Sequence, residues 1–295
     1  MRAEEIASMR EALVALGRVP SLTVGFGIER LTLAGDFWAE RLMIQGTGKS
    51  VLTSLRSFGD ASGEEIGRFE TKLSGAMIGE LVRAVDATLE GGPPANLSPG
   101  DVRVLVSIVA CGSRLDHVVG GGPPDLEPYT PLLFALDKAA TQTRATAKST
   151  LGLHLEVQGT LSPGPQTLPL VLSFENRGDE GAWIRSPTSG LEDEPTEHVR
   201  LWYAERAVEQ PGVTSLPLEP ICVPLEPAMR TERPLLWIGG GETESRPFST
   251  TVDLAPGSYL MRASFASYGG DDTVAGQNLL RGCAFSAETM VKVGA

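Results

Sequence analysis

Between Leu254 and Phe265 the chain alternates: Tyr259, Met261, Ala263 and Phe265 fall on one side of a two-residue period, and Leu260, Arg262 and Ser264 on the other. Pro256-Gly257 makes the turn that opens this strand. At the other end of the chain the period is helical. Ile6, Met9, Leu13 and Leu16 form one stripe over residues 3–17, with Gly17 as a C-terminal cap, and a helix this short is expected to pack on its own domain. From Leu22 to Glu70, short β-type runs separated by glycine turns predict an antiparallel meander. Ser74 then caps a helix whose apolar side is Met77, Ile78, Leu81, Val82, Val85 and Leu89, and Gly91-Gly92-Pro93-Pro94 stops it.

Val102 to about Cys111 is almost continuously apolar and predicts a strand buried on both faces, central in its sheet. Thr130-Pro131 opens a second helix, with Leu132, Leu133, Leu136 and Ala140 inward, that fades by about Ala147. Beyond Thr150 the helical period disappears, and strand candidates alternate with Gly/Pro/Asp/Glu turns. In Leu216 to Pro227 the sequence PLEP occurs twice around Ile221-Cys222-Val223, and proline at that density predicts an edge or a long loop. The expected fold class is therefore α+β: an N-terminal antiparallel sheet with two or three helices over residues 1–150, then an all-β domain over 151–295.

The aliphatic-x-Pro-Gly-x-Tyr arrangement ending in Tyr259 resembles the tyrosine corner of immunoglobulin-like and fibronectin-type sandwiches. FENRGDEGAWI, Phe174 to Ile184, is similar to the second strand, turn and third strand of bacterial sandwich modules. The resemblance covers the C-terminal half only. It implies an immunoglobulin-like sandwich, a hydroxyl of Tyr259 turned back onto the chain upstream, and Trp183 as a core aromatic; the cysteine pair that flanks such a Trp in antibody domains has no counterpart here.

Charge narrows the partners. The net charge is −12, most of it in residues 151–295, and an acidic surface without a basic stripe repels phosphate backbones and anionic headgroups. Nucleic acid and membrane are thus poor partners, and a protein with a basic surface is a better one. Cys111, Cys222 and Cys283 are odd in number and far apart, which supports neither a disulfide framework nor a zinc site. The acidic first residues and the lack of a long apolar run predict a cytoplasmic protein, and five Lys among 25 basic residues fit a GC-rich bacterial genome.

Four constellations could carry chemistry. QGTGKSV, Gln45 to Val51, lacks the first glycine of a phosphate loop and precedes a strand pattern, so it predicts a hairpin turn. Cys111, Ser113, Asp116 and His117 close the buried strand, where a nucleophile, base and orienter could assemble into a hydrolase site in an interdomain cleft. Glu192, Asp193, Glu194 and Glu197 form an acidic cluster, and Asp271 and Asp272 a second; the spacing fits solvated loops better than calcium ligands. Trp202 and Tyr203 are adjacent in a strand, so one of them points outward; Trp237, Tyr268 and Phe248 are further candidates for a ligand face.

The expectation is a bacterial non-enzymatic accessory or assembly protein, without a cofactor, that contacts another protein through Glu192, Asp193, Glu194, Glu197 and Trp202. A hydrolase and a glycan-binding module are the alternatives.

Overall fold

The computed structural model describes residues 4, 7–8, 10–11, 23–31, 37–45, 47–56, 66–88, 102–110, 113–121, 130–189, 198–206, 220–267 and 279–294; side chains are described for all of these but 23–31, 37–40, 55–56, 88, 102–110 and 113–121. Two compact units divide the chain: Met1–Arg56 with Arg68–Lys148, and Ser57–Gly67 with Ser149–Ala295.

In the first unit, β1 (Thr23–Leu31), β2 (Phe37–Gln45), β3 (Lys49–Arg56), β4 (Ile66–Lys72), β5 (Val102–Ala110) and β6 (Ser113–Gly121) lie in the order β6-β5-β1-β2-β3-β4. The β2–β3 connection is a hairpin turn: Gly48 has φ +84° and its N–H donates to Gln45 O at 2.8 Å, while Lys49 pairs with Glu70 at 2.7 Å. Helix α1 (Gly75–Thr88) starts where expected, with the Met77 N–H donating to Ser74 Oγ at 3.2 Å. It buries Ile78, Leu81, Ala84 and Val85; α2 (Thr130–Arg144) buries Leu132, Ala135, Leu136 and Ala139. Thr143 of α2 donates from Oγ1 to Ala139 O at 2.7 Å and so accepts from the Ser50 hydroxyl of β3 at 2.9 Å, both side chains being fully buried. Residues 4, 7, 8, 10 and 11 are helical, and Arg10 pairs with Asp86 of α1 at 2.6 Å. The apolar stripe expected on that first helix lies outside the described residues.

The second unit is built from β7 (Ala147–Val157), β8 (Gly164–Glu175), β9 (Ala182–Arg185), β10 (Val199–Glu205), β11 (Ile221–Pro224), β12 (Glu226–Pro227), β13 (Leu235–Ile238), β14 (Thr243–Leu254), β15 (Gly257–Ser267), β16 (Gly282–Phe285) and β17 (Thr289–Val293). One layer runs β7-β8-β14-β12. A second has β15 at its centre, paired with β10, β16 and β17, with β11 outside β10. β9 and β13 form a separate two-stranded ribbon. Strict alternation on β8 sends Leu168, Leu170, Leu172 and Phe174 into a core that Leu201, Met261, Ala263 and Phe265 enter from the other layer. Phe174 and Phe265 meet edge-to-face at 5.1 Å.

The fold class expected from the sequence is corrected. Among the described residues, seventeen strands stand against two full-length helices, in several sheets and with no closed barrel, so the chain is mostly β and the α+β description is corrected. One physical reason is the 113–121 segment, whose Ser113, Asp116 and His117 are expected from the sequence to close the buried strand. Ser113–Gly121 instead pairs along its whole length with Val102–Ala110, where Val118 and Val119 favour extended backbone.

At the head of β15 the Ala255 N–H donates to the Tyr259 hydroxyl at 3.0 Å, and that hydroxyl donates to Ala255 O at 3.2 Å. The ring is buried beside Tyr203. Tyr259→Phe keeps the ring and removes both bonds; it should cost about 1 kcal/mol in chemical denaturation. An unchanged midpoint would show that the corner adds nothing to stability.

Candidate functional site

The outward face of the β11-β10-β15-β17 layer is the best-formed candidate. On β10, Leu201 and Tyr203 are buried, so Arg200, Trp202 and Ala204 must face outward. Registry places Arg262 and Cys222 beside Trp202, Leu260 beside Ala204, and Met290 beside Leu260. Trp202 lies along this face with its Nε1–H donating to Ser264 Oγ at 2.9 Å, which leaves the indole part-exposed and held in one orientation. Arg262 stacks over the Phe285 ring at 4.5 Å and donates from Nε to Ser286 O at 3.0 Å. Met290 is 53% exposed, and Arg206 reaches its sulfur at 3.4 Å. With Lys292 the face carries cations at four positions, and none of its strand positions holds a carboxylate. This local charge is opposite to that of the chain as a whole.

A second surface lies on the β9–β13 ribbon. Ala182, Ile184 and Ile238 enter the core, so Trp183 and Trp237, paired in register, stand on the opposite side. Their ring centroids are 5.2 Å apart with planes at 59°. Trp183 is therefore half-buried on the ribbon face and is not the core aromatic expected; Ala182 and Ile184 fill that role. Trp237 is 44% exposed.

Both surfaces depend on buried polar anchors. Asn176, 0% exposed, accepts from the Thr150 and Gly178 N–H groups at 2.9 and 3.0 Å through Oδ1, and its Nδ2 donates to Glu180 O at 2.9 Å. Its backbone bonds Glu242 O and the Gly241 N–H, so one residue joins β7, the β8–β9 turn and the β13–β14 turn. His198, buried before β10, donates from Nε2 to Ser186 O at 3.3 Å and lies edge-on to Phe265. Burial first, then the nearby Arg185, push its pKa down to about 4.

The sign follows from that depression. Between pH 6.5 and 4 the unfolded chain takes up a proton that the folded one refuses, so this stability is complete above 6.5 and lost as pH falls. The loss should reach about 3 kcal/mol near pH 4. Denaturation curves at pH 7 and pH 4 should show a smaller drop for His198→Gln, which keeps a donor and does not titrate. Equal drops would remove His198 as the cause.

Of the residues expected to carry function, Trp202 lies on the first surface and Tyr203 on the opposite, buried side. Phe248 is buried and belongs to the core. Ser113 begins β6, and Asp116 and His117 lie within it, opposite Ser107 and Val106. In an extended strand about 13 Å of backbone separates Ser113 from His117. Cys111, Glu192, Asp193, Glu194, Glu197, Tyr268, Asp271 and Asp272 lie outside the described residues. Among the described residues no group of His, Cys, Asp or Glu could hold a metal ion. Sequence reasoning missed Met290 and the cationic neighbours of Trp202, because only strand pairing brings residues 200, 222, 262 and 290 together.

No family model and no curated protein matches the chain. Among solved structures, 49% of the chain is similar to a β-glucosidase from Listeria innocua in complex with gluconolactone, at 12% identity and a TM-score of 0.22. The β-glucosidase from Listeria innocua in complex with glucose is similar over the same share, at 13% identity and a TM-score of 0.21. The matched region spans 16% of those chains, and likeness this low carries no argument about fold or activity.

Proposed function

We propose that this is a non-enzymatic bacterial accessory or assembly protein that works by binding another protein through the Trp202 face. The observation that carries the reading is the composition of that face: an oriented indole, an exposed methionine and several arginines in one layer. Aromatic residues, Met and Arg are the types enriched where proteins bury surface against one another. The cations ask for carboxylates at the point of contact, while the net charge of −12 favours approach by a partner of positive overall charge. The acidic segment around Glu192 is part of this reading through its long-range field.

Affinity capture from the native host tests it. The wild type is expected to recover one stoichiometric partner, and Trp202→Ala combined with Met290→Glu to lose it. A wild-type protein that stays alone and monomeric, or a partner retained by the double variant, would overturn the proposal.

A further inference from the structure

We propose that the Trp237 shelf on the β9–β13 ribbon binds a carbohydrate, with one pyranose ring stacked on the exposed indole. The argument begins with two glycines. Continued past its last pair, Ala182–Ile238, the register brings Gly181 opposite Gly239, two steps beyond the Trp183–Trp237 pair. A Cβ on Gly181 would run into the Trp237 ring, coming within 2.7 Å of its Cη2, so the missing side chain lets the indole lie down across the backbone. A Cβ on Gly239 would meet the Glu242 carboxyl, with Cδ at 2.6 Å, so that side chain lies over its own glycine. Glu242 Oε2 is held there by the Gly239 N–H at 2.9 Å. Each glycine is two residues from a Trp of the pair, so the indole and the carboxylate share the face that Trp183 and Trp237 occupy.

The shelf is rigid. Trp183 braces one edge of Trp237, the Leu280 N–H donates to Trp183 O at 2.9 Å, and Asn176 ties both adjoining turns together. A binding group fixed before the ligand arrives loses little entropy on binding.

The chemistry of the ligand follows from the shape. Trp183 already occupies one side of Trp237 at 5.2 Å between centroids, so no cation can sit between the two rings, and the site is a plate open on one side rather than a cage. A flat base would stack equally well, but its phosphates would meet Glu242 in a chain of net charge −12. A pyranose meets both halves of the shelf. Its C–H face covers the apolar ring, and hydroxyls on its rim donate to a carboxylate that only accepts.

The test is a calorimetric titration of the full chain with cellohexaose, maltohexaose, chitohexaose and mannohexaose, and with tetramethylammonium and AMP as controls. The wild type should bind at least one hexasaccharide in the millimolar range or tighter. Trp237→Ala should weaken that binding by about tenfold or more, whereas Trp237→Phe should retain most of it. Glu242→Gln, which keeps one acceptor, should weaken it by a few fold. Circular dichroism spectra of Trp237→Ala below its melting transition should match the wild type, although the lost packing on Trp183 and Gly181 lowers the melting temperature. No response to any hexasaccharide, tighter binding of tetramethylammonium or AMP, or binding indifferent to Trp237→Ala would each overturn the assignment. Trp202→Ala should leave sugar binding unchanged, which separates this site from the proposed protein contact.

Discussion

Asn176→Ala should destabilise the C-terminal unit by about 5 kcal/mol, one of the two largest single-residue effects expected here. The residue is fully buried, and its removal strands two N–H donors, at Thr150 and Gly178, and the Glu180 carbonyl. A buried group left without a partner costs about 1–3 kcal/mol, and two, at Thr150 and Gly178, are released together with the part-buried Glu180 carbonyl. Asn176→Asp keeps both acceptor bonds, loses the donors and buries a charge; it should be least harmful at low pH, where the added carboxyl is neutral. Urea denaturation followed by tryptophan fluorescence measures both, since Trp183, Trp202 and Trp237 all belong to this unit. A loss below about 2 kcal/mol for the alanine variant would mean that water re-pairs the released groups.

Gly67→Ala should cost about 4 kcal/mol, from backbone strain and steric overlap together. Gly67 has φ +143°, a conformation that side chains oppose. A Cβ there would also press into β7, inside contact distance of Ser149 O and 2.7 Å from Thr150 Cα. Both obstacles are main chain, so no rotamer change relieves them, and β4 and β7 must move apart. Its neighbour Ile66, 0% exposed, would be drawn from the core with it. The same urea experiment reads the effect, and a variant within about 1 kcal/mol of wild type would show that β7 yields easily.

Local chemistry in the sequence carried much of the architecture. Ser74 and Gly48 marked a helix start and a hairpin turn because each acts within a few residues of itself. Alternation told which of Trp202 and Tyr203 could be buried only as a pair of options; the flanking Leu201 and the partner strand β15 decided it. Reading failed where pairing overrode local signals. LDHVV looked like the exit from a buried strand, yet nine consecutive residues there add a strand to the sheet edge. Trp183 looked like core by size and resemblance, but its neighbours Ala182 and Ile184 took the inward positions, and strand geometry leaves the odd residue outside. The indole–carboxylate shelf was the least legible feature, because it depends on Gly181 and Gly239 facing each other across 58 residues of sequence.

The excursion of residues 57–67 into the C-terminal unit has a practical consequence for anyone dissecting the protein. A truncation beginning at Leu151 would express that unit without Ile66 and leave a side-chain-sized hole where the isoleucine packs. Neither unit is thus a cassette that a single recombination event could transplant. Supplying a peptide that carries Ile66 and Gly67 in trans, or splicing those residues ahead of Ser149, is the route to a free-standing C-terminal piece.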